Sequence, residues 1–163
     1  TAWNWFCTVF DPVTVRILTF IPIVWLLLRR RQPRVALFLL VSVELSAVVT
    51  GIAKGLANRP RPSTALAYAP STSFPSGHAL GIMVCVLALL TVALPLVASR
   101  WHTPLKLLGA AIVLAIGIGR VVLNVHHPSG VVAGWALGYL YYLACLPVFT
   151  GRAGRPAVPG RAN

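Results

Sequence analysis

Three short stretches of the chain stand apart by gathering residue types that could handle a phosphate group: KGLANRPRP (54 to 62), PSGH (75 to 78) and RVVLNVHHPSG (120 to 130). A phosphoryl group needs fixed cations, backbone N–H donors, and a side chain that can accept or donate a proton. Lys54 and, seven residues on in a proline-stiffened turn, Arg61 supply a point charge and a planar fork for its oxygens. Ser76 and Gly77 open an apolar run, where the first N–H groups and the positive end of a helix dipole make an anion site and glycine lets a ligand approach the backbone. His78, on that first turn, is placed to give a proton to a leaving oxygen. Arg120 ends another apolar run, and His126 follows six residues later. The chain has only two acidic residues, neither near these stretches, which argues against a magnesium or two-metal site.

The elements that must position these groups are membrane helices. Of 163 residues, 58% are hydrophobic and 10% charged, against about 25% charged in ordinary soluble domains. Apolar runs near the ~20 residues needed to cross a bilayer recur along the chain. The spacing predicts an all-α, polytopic transmembrane helical bundle with five spans, at about 13–28, 35–53, 78–98, 105–123 and 130–149, within one membrane-embedded domain over 1–150. The formal net charge of +12 would suggest a nucleic-acid partner in a soluble chain, but here the cations sit between apolar spans, so topology is the better cause and no nucleic acid is expected. Three cysteines without CxxC spacing give neither a disulfide framework nor a zinc signature.

If the cluster Arg29, Arg30, Arg31 and Arg34 is cytoplasmic, alternation of the spans puts Arg100, Lys106, Arg152, Arg155 and Arg161 on that side too. Lys54, Arg59, Arg61 and Arg120 then fall on the outer side, where topology gives no reason for them. The segment 151–163, rich in Gly, Pro and Arg, reads as a disordered basic cytoplasmic tail. The aromatic-rich first ten residues suit the outer membrane–water boundary.

The ordered set KxxxxxxRP, PSGH and RxxxxxH, carried by Lys54 to Pro62, Pro75 to His78 and Arg120 to His126, resembles the three-part signature of the type 2 phosphatidic acid phosphatase superfamily of integral-membrane lipid phosphatases. The resemblance implies His126 as a nucleophile forming a phosphohistidine and His78 as general acid. It implies that Lys54, Arg61, Ser76, Gly77 and Arg120 hold the phosphoryl oxygens, with no metal and no cofactor. It implies a lipid phosphate or diphosphate substrate whose tail stays in the bilayer, in an integral protein of a bacterial plasma membrane with its site on the outer face. Polyprenyl diphosphate, phosphatidic acid and phosphatidylglycerol phosphate are the candidate classes. Members commonly have six spans, so a further helix is expected before Thr1. Phosphoryl transfer chiefly needs positioning and charge stabilisation, which agrees with the residues taken alone.

One departure matters. In the family the third motif continues RxxxxxHxxxD, the aspartate orienting the nucleophilic histidine, and this chain has Gly130 there. Three accounts stay open: a variant in which water, His127 or another group orients His126; an inactivating replacement; and a lineage that binds lipid phosphate without hydrolysing it. Gly130 also begins a small-residue stripe with Gly134 and Gly138, suited to close helix packing in lipid. Arg59 is read as a headgroup contact or simple surface charge, and His102 as an interfacial residue. Glu44, in mid-span and about 15 Å along the helix from Lys54, is too far to replace the missing aspartate and is read as a helix–helix hydrogen-bonding group.

Overall fold

The computed structural model describes residues 12–57 and 74–150. Six α-helices appear in them: α1 Pro12–Leu28, α2 Pro33–Leu39, α3 Ser46–Ala57, α4 Gly77–Ala93, α5 His102–Val122 and α6 Pro128–Thr150. A π-turn, Leu40–Glu44, joins α2 to α3, and 3₁₀ turns at Leu94–Leu96 and Ser99–Trp101 join α4 to α5. The runs Pro33–Ala57, Gly77–Leu96, Ser99–Val122 and Pro128–Thr150 are each long and apolar enough to cross a bilayer, and α1 adds a shorter apolar helix. The molecule is a transmembrane helical bundle. The second span, whose apolar run Glu44 interrupts, is π-helical in its middle, and the third, expected to reach about residue 98, gives up α-helical geometry at Ala93, just before Pro95 enters a 3₁₀ turn.

Helix α4 is the spine. It packs most extensively along α6 and α5 and also touches α1, α2, α3 and the π-turn. One core cluster gathers Ile23 from α1, Phe38 and Leu39 from α2, Val43 from the π-turn, Cys85 and Ala88 from α4, and Cys145 from α6. Large apolar residues on the outside, such as Ile17, Leu56, Leu107 and Leu140, are exposed. In lipid those residues gain nothing from burial, so the helices are held by close fit and interhelical polar contacts.

The fit is made by glycines. A Cβ at Gly134 would lie 2.6 Å from the carbonyl oxygen of Ser76, and one at Gly138 would lie 2.8 Å from that of Leu80. The expected small-residue stripe on α6 is thus where α6 meets α4 backbone to backbone. On α5, Gly117 takes the indole of Trp135, whose Cζ2 occupies the place a Cβ there would need. Polar links add to this: Tyr142 and Thr91 share a hydroxyl hydrogen bond of 2.7 Å, and Thr19 on α1 donates to Oε1 of Glu44 at 3.1 Å. Glu44 therefore makes the helix–helix hydrogen bond its position suggested.

The chain direction gives the bundle two ends. The end of α1, the start of α2, the α4–α5 connection and the end of α6 share one, with Arg29, Arg30, Arg31, Arg34, Arg100 and Lys106. There the Arg30 guanidinium lies over Trp25, 4.9 Å from the ring centroid. The ends of α3 and α5 and the starts of α4 and α6 meet at the other, which carries the phosphate-type residues.

Candidate functional site

Ser76 is the N-cap of α4. Its extended backbone (φ −71°, ψ 113°) lets its hydroxyl accept from the N–H of Ala79 at 3.4 Å. Its own N–H donates to the carbonyl of Gly130 at 2.9 Å, and its carbonyl begins the helical ladder by accepting from Leu80 at 3.0 Å. With Gly134 pressed against that carbonyl, the fully buried Ser76 is fixed at every polar group it has. The second motif is thereby tied by backbone alone to the end of the third.

Gly77 begins α4, facing α3. A Cβ there would meet the Thr50 methyl at 2.9 Å, with Cε and Nζ of Lys54 at 3.8 and 3.9 Å. Thr50 and Lys54 are one turn apart on α3, so both sit against the first turn of α4. Glycine at 77 makes room for the Thr50 methyl, while the Lys54 ammonium stands at ordinary contact distance beside the backbone at the positive end of that helix. His78, the next residue, is half-buried on the same turn.

The third motif folds back on itself. Helix α5 ends at Val122, and Asn124 takes the left-handed conformation (φ 51°), its N–H donating to Val121 O at 2.8 Å. Asparagine tolerates that region better than most residues. The reversal lets the N–H groups of Val125 and His126 both reach the carbonyl of Arg120, each at 3.3 Å. Arg120 (7% exposed) and His126 (2% exposed) are therefore adjacent and buried at the same end of the bundle. The carbonyl of His127 then accepts from Gly130 at 2.9 Å and Val131 at 3.3 Å, starting α6. Gly130, buried, is the third residue of that helix.

Lys54, Ser76, Gly77, His78, Arg120 and His126 thus lie at one end, on three helix termini and one loop. Arg61, with Arg59, lies outside the described residues, as do the first ten residues and the segment 151–163. His102 is at the opposite end, its Nε2 3.3 Å from Val97 O. Sequence reasoning missed Thr50 and Asn124. Thr50 stands four residues before Lys54 and was findable by that spacing; the left-handed turn at Asn124 had its only signal in the residue type.

The arrangement offers a buried arginine, a half-buried lysine, the start of a helix and two imidazoles, a set suited to holding and transferring a phosphoryl group. The sequence profile of the PAP2 superfamily matches residues 35–153. A curated protein of Sulfolobus acidocaldarius named undecaprenyl-diphosphatase is 30% identical over 137 residues, which are 80% of this chain. The chain spans 58% of that relative's length. A solved structure, the first transmembrane PAP2 type phosphatidylglycerolphosphate phosphatase from Bacillus subtilis, shares the fold. Its TM-score is 0.79, over 94% of this chain and 77% of that one, at 24% identity.

Proposed function

We propose that this chain, which belongs to the PAP2 superfamily, hydrolyses the phosphomonoester or diphosphate of a membrane lipid through a phosphohistidine on His126. The observation that carries the reading is the gathering of buried Arg120 and His126, Lys54 and the first turn of α4 at one end of a transmembrane bundle. A lipid headgroup arrives at such an end while its tail stays in the bilayer. Lys54, Ser76, Gly77, Arg120 and, from outside the described residues, Arg61 hold the phosphoryl oxygens. His126 attacks phosphorus and His78 protonates the departing oxygen; water then attacks the phosphohistidine and releases inorganic phosphate. Splitting the displacement into two steps needs no metal in this reading, and neither acidic residue of the chain lies in the three motifs. The arginine-rich end is cytoplasmic by the positive-inside rule, which turns the site outward. The substrate class follows the named relatives: polyprenyl diphosphate or phosphatidylglycerol phosphate, with phosphatidic acid as the third candidate.

Gly130 makes this a low-activity form, because a histidine without its orienting carboxylate loses orders of magnitude in rate. The test is phosphate release from a polyprenyl diphosphate and from phosphatidic acid in detergent, for the protein as it stands, Gly130→Asp and His126→Ala. Position 130 is the third residue of α6, where a carboxylate suits the helix dipole. The expected result is a rise of about 100-fold or more with aspartate and loss of release with alanine. Release by His126→Ala at the parent rate would overturn the nucleophile. The same Gly130 supports a second reading, a lipid-phosphate binder without turnover, which predicts no release from any version together with lipid-phosphate affinity that depends on Lys54, Arg61 and Arg120.

A further inference from the structure

The span that carries Lys54 changes its packing direction halfway along. Among its buried positions, Ala36, Leu39, Val43 and Ser46, continued by half-buried Thr50 and Lys54, follow steps of three and four, with Phe38 and Ser42 buried alongside the first half. In an uninterrupted α-helix that spacing lays a single stripe down one side. Yet α2 packs chiefly on α1 and α6, whereas α3 packs on α4. The change falls at the π-turn, where the N–H of Leu45 reaches back five residues to the carbonyl of Leu40 at 3.3 Å.

A π-turn of this kind is one surplus residue accommodated inside an α-helix. Each residue advances an α-helix by about 100°. Everything after the turn is therefore rotated by about 100° from where an unbroken helix of the same sequence would put it. The surplus is assigned to Leu45, whose N–H makes the five-residue bond to Leu40 and which is 46% exposed between buried Val43 and Ser46. The turn is also held from outside. The Tyr141 hydroxyl of α6 donates to the carbonyl of Val41, within the turn, and Thr19 donates to Glu44 at its end. In the bilayer interior no water is at hand for a backbone carbonyl that leaves the regular ladder, so the tyrosine hydroxyl supplies what a π-turn there requires.

We propose that this π-turn is a register device for the phosphate site: it rotates Thr50 and Lys54 onto Gly77, and Tyr141 is a positioning residue that acts through it. The inference rests on the reading of Lys54 as a phosphate ligand, and it assigns work to residues far along the span from the chemistry.

Deleting Leu45 tests it. With the surplus residue gone, the span closes as a continuous α-helix and keeps both packed faces where they are. The geometric readout is a disulfide between Thr50→Cys and Gly77→Cys, identified by mass spectrometry after mild oxidation. It is expected to form in the parent and the Leu45 deletion alike, and to be lost when one alanine is inserted between Leu45 and Ser46. In the chain without the two cysteines, the deletion is expected to keep phosphate release within about threefold, and the insertion to lose about 100-fold, the scale of removing one fixed charge-stabilising group.

Tyr141→Phe separates positioning from general stability. In the parent it is expected to lower kcat/KM about tenfold, the scale of one buried hydrogen bond. In the Leu45 deletion, which has no π-turn to hold, it is expected to be silent. A deletion protein that fails to accumulate in folded form, or that loses the disulfide, overturns the inference. An insertion protein that keeps the disulfide, or an equal Tyr141→Phe effect in both backgrounds, does so too. Lys54→Ala at the parent rate would instead remove the phosphate role of Lys54 and leave the disulfide pattern to decide the geometry.

Discussion

Gly134→Ala adds one methyl group where α6 touches the start of α4. That carbon would stand 2.6 Å from the Ser76 carbonyl oxygen, 2.9 Å from Ala79 Cβ and 3.2 Å from the Leu80 nitrogen. Two of the three neighbours are backbone atoms of the helix that begins at the site, so no rotamer change relieves the contact. Restoring an ordinary separation of 3.4 Å from the oxygen requires the helices to part by about 0.8 Å locally. The same residue, Ser76, is tied through its N–H to Gly130 O at 2.9 Å, and a shift of that size stretches the bond to about 3.7 Å, beyond hydrogen-bonding range. Overpacking of this kind costs about 1–3 kcal/mol. A misplacement approaching 1 Å at a reacting centre costs about 100-fold in rate. The expected outcome is a lower unfolding midpoint in detergent together with a fall of about 100-fold in kcat for phosphate release. Gly51→Ala is the control, because a Cβ there meets nothing within 4 Å and alanine suits a helix better than glycine. If Gly134→Ala matches Gly51→Ala in both midpoint and kcat, α4 and α6 are not held at this distance and the packing argument fails.

Three further outcomes are expected. Arg120→Lys keeps the charge but loses the planar fork in a buried position, so phosphate release should drop by about 100-fold, and a change under threefold would remove Arg120 from the oxyanion-stabilising set. Ser76→Ala removes the N-cap acceptor of Ala79, costing about 1 kcal/mol, seen as a fall in unfolding midpoint of a few degrees; an unchanged midpoint would mean that the 3.4 Å contact carries no energy. Phosphate release should survive excess EDTA and show no magnesium requirement, whereas strict loss with chelator would bring a metal step into the mechanism.

The helices were legible because apolar run length speaks directly to the bilayer, and their ends were legible where chemistry marks them. Ser76 before Gly77, and Pro128 after the His126–His127 pair, are start signals that the structure honours. The stripe Gly134 and Gly138 was legible for the same reason, since small residues four apart on a membrane helix mean close approach. The π-turn was not. Its residues Leu40–Glu44 carry no breaker, and the three-and-four spacing of Ala36 to Lys54 runs through it as though the helix were regular. What selects the turn is long-range, namely the direction of α4 from α3 and a tyrosine 100 residues away at Val41. In the site, residue identities came from motif spacing, but the tie of Ser76 to Gly130 joins two backbones and leaves no mark in side-chain type.

That tie bears on what Gly130 means for function. The link from Ser76 to position 130 uses the carbonyl of residue 130 and is indifferent to its side chain. Gly77 and Lys54 are placed by α3 and α4, and the loop from Arg120 to His126 is closed on the carbonyl of Arg120, neither through residue 130. In the proposed reading, the elements that hold a phosphate are thus mechanically separate from the group that would orient the nucleophile. Replacing aspartate by glycine should then reduce kcat while leaving affinity for a lipid phosphate almost untouched. Inhibition constants for a non-hydrolysable phosphonate analogue, measured on the protein as it stands and on Gly130→Asp, should agree within about threefold even where turnover differs by 100-fold or more. A matching gain in phosphonate affinity with aspartate would show that residue 130 helps to build the cradle itself, and the separation of binding from orientation would fall.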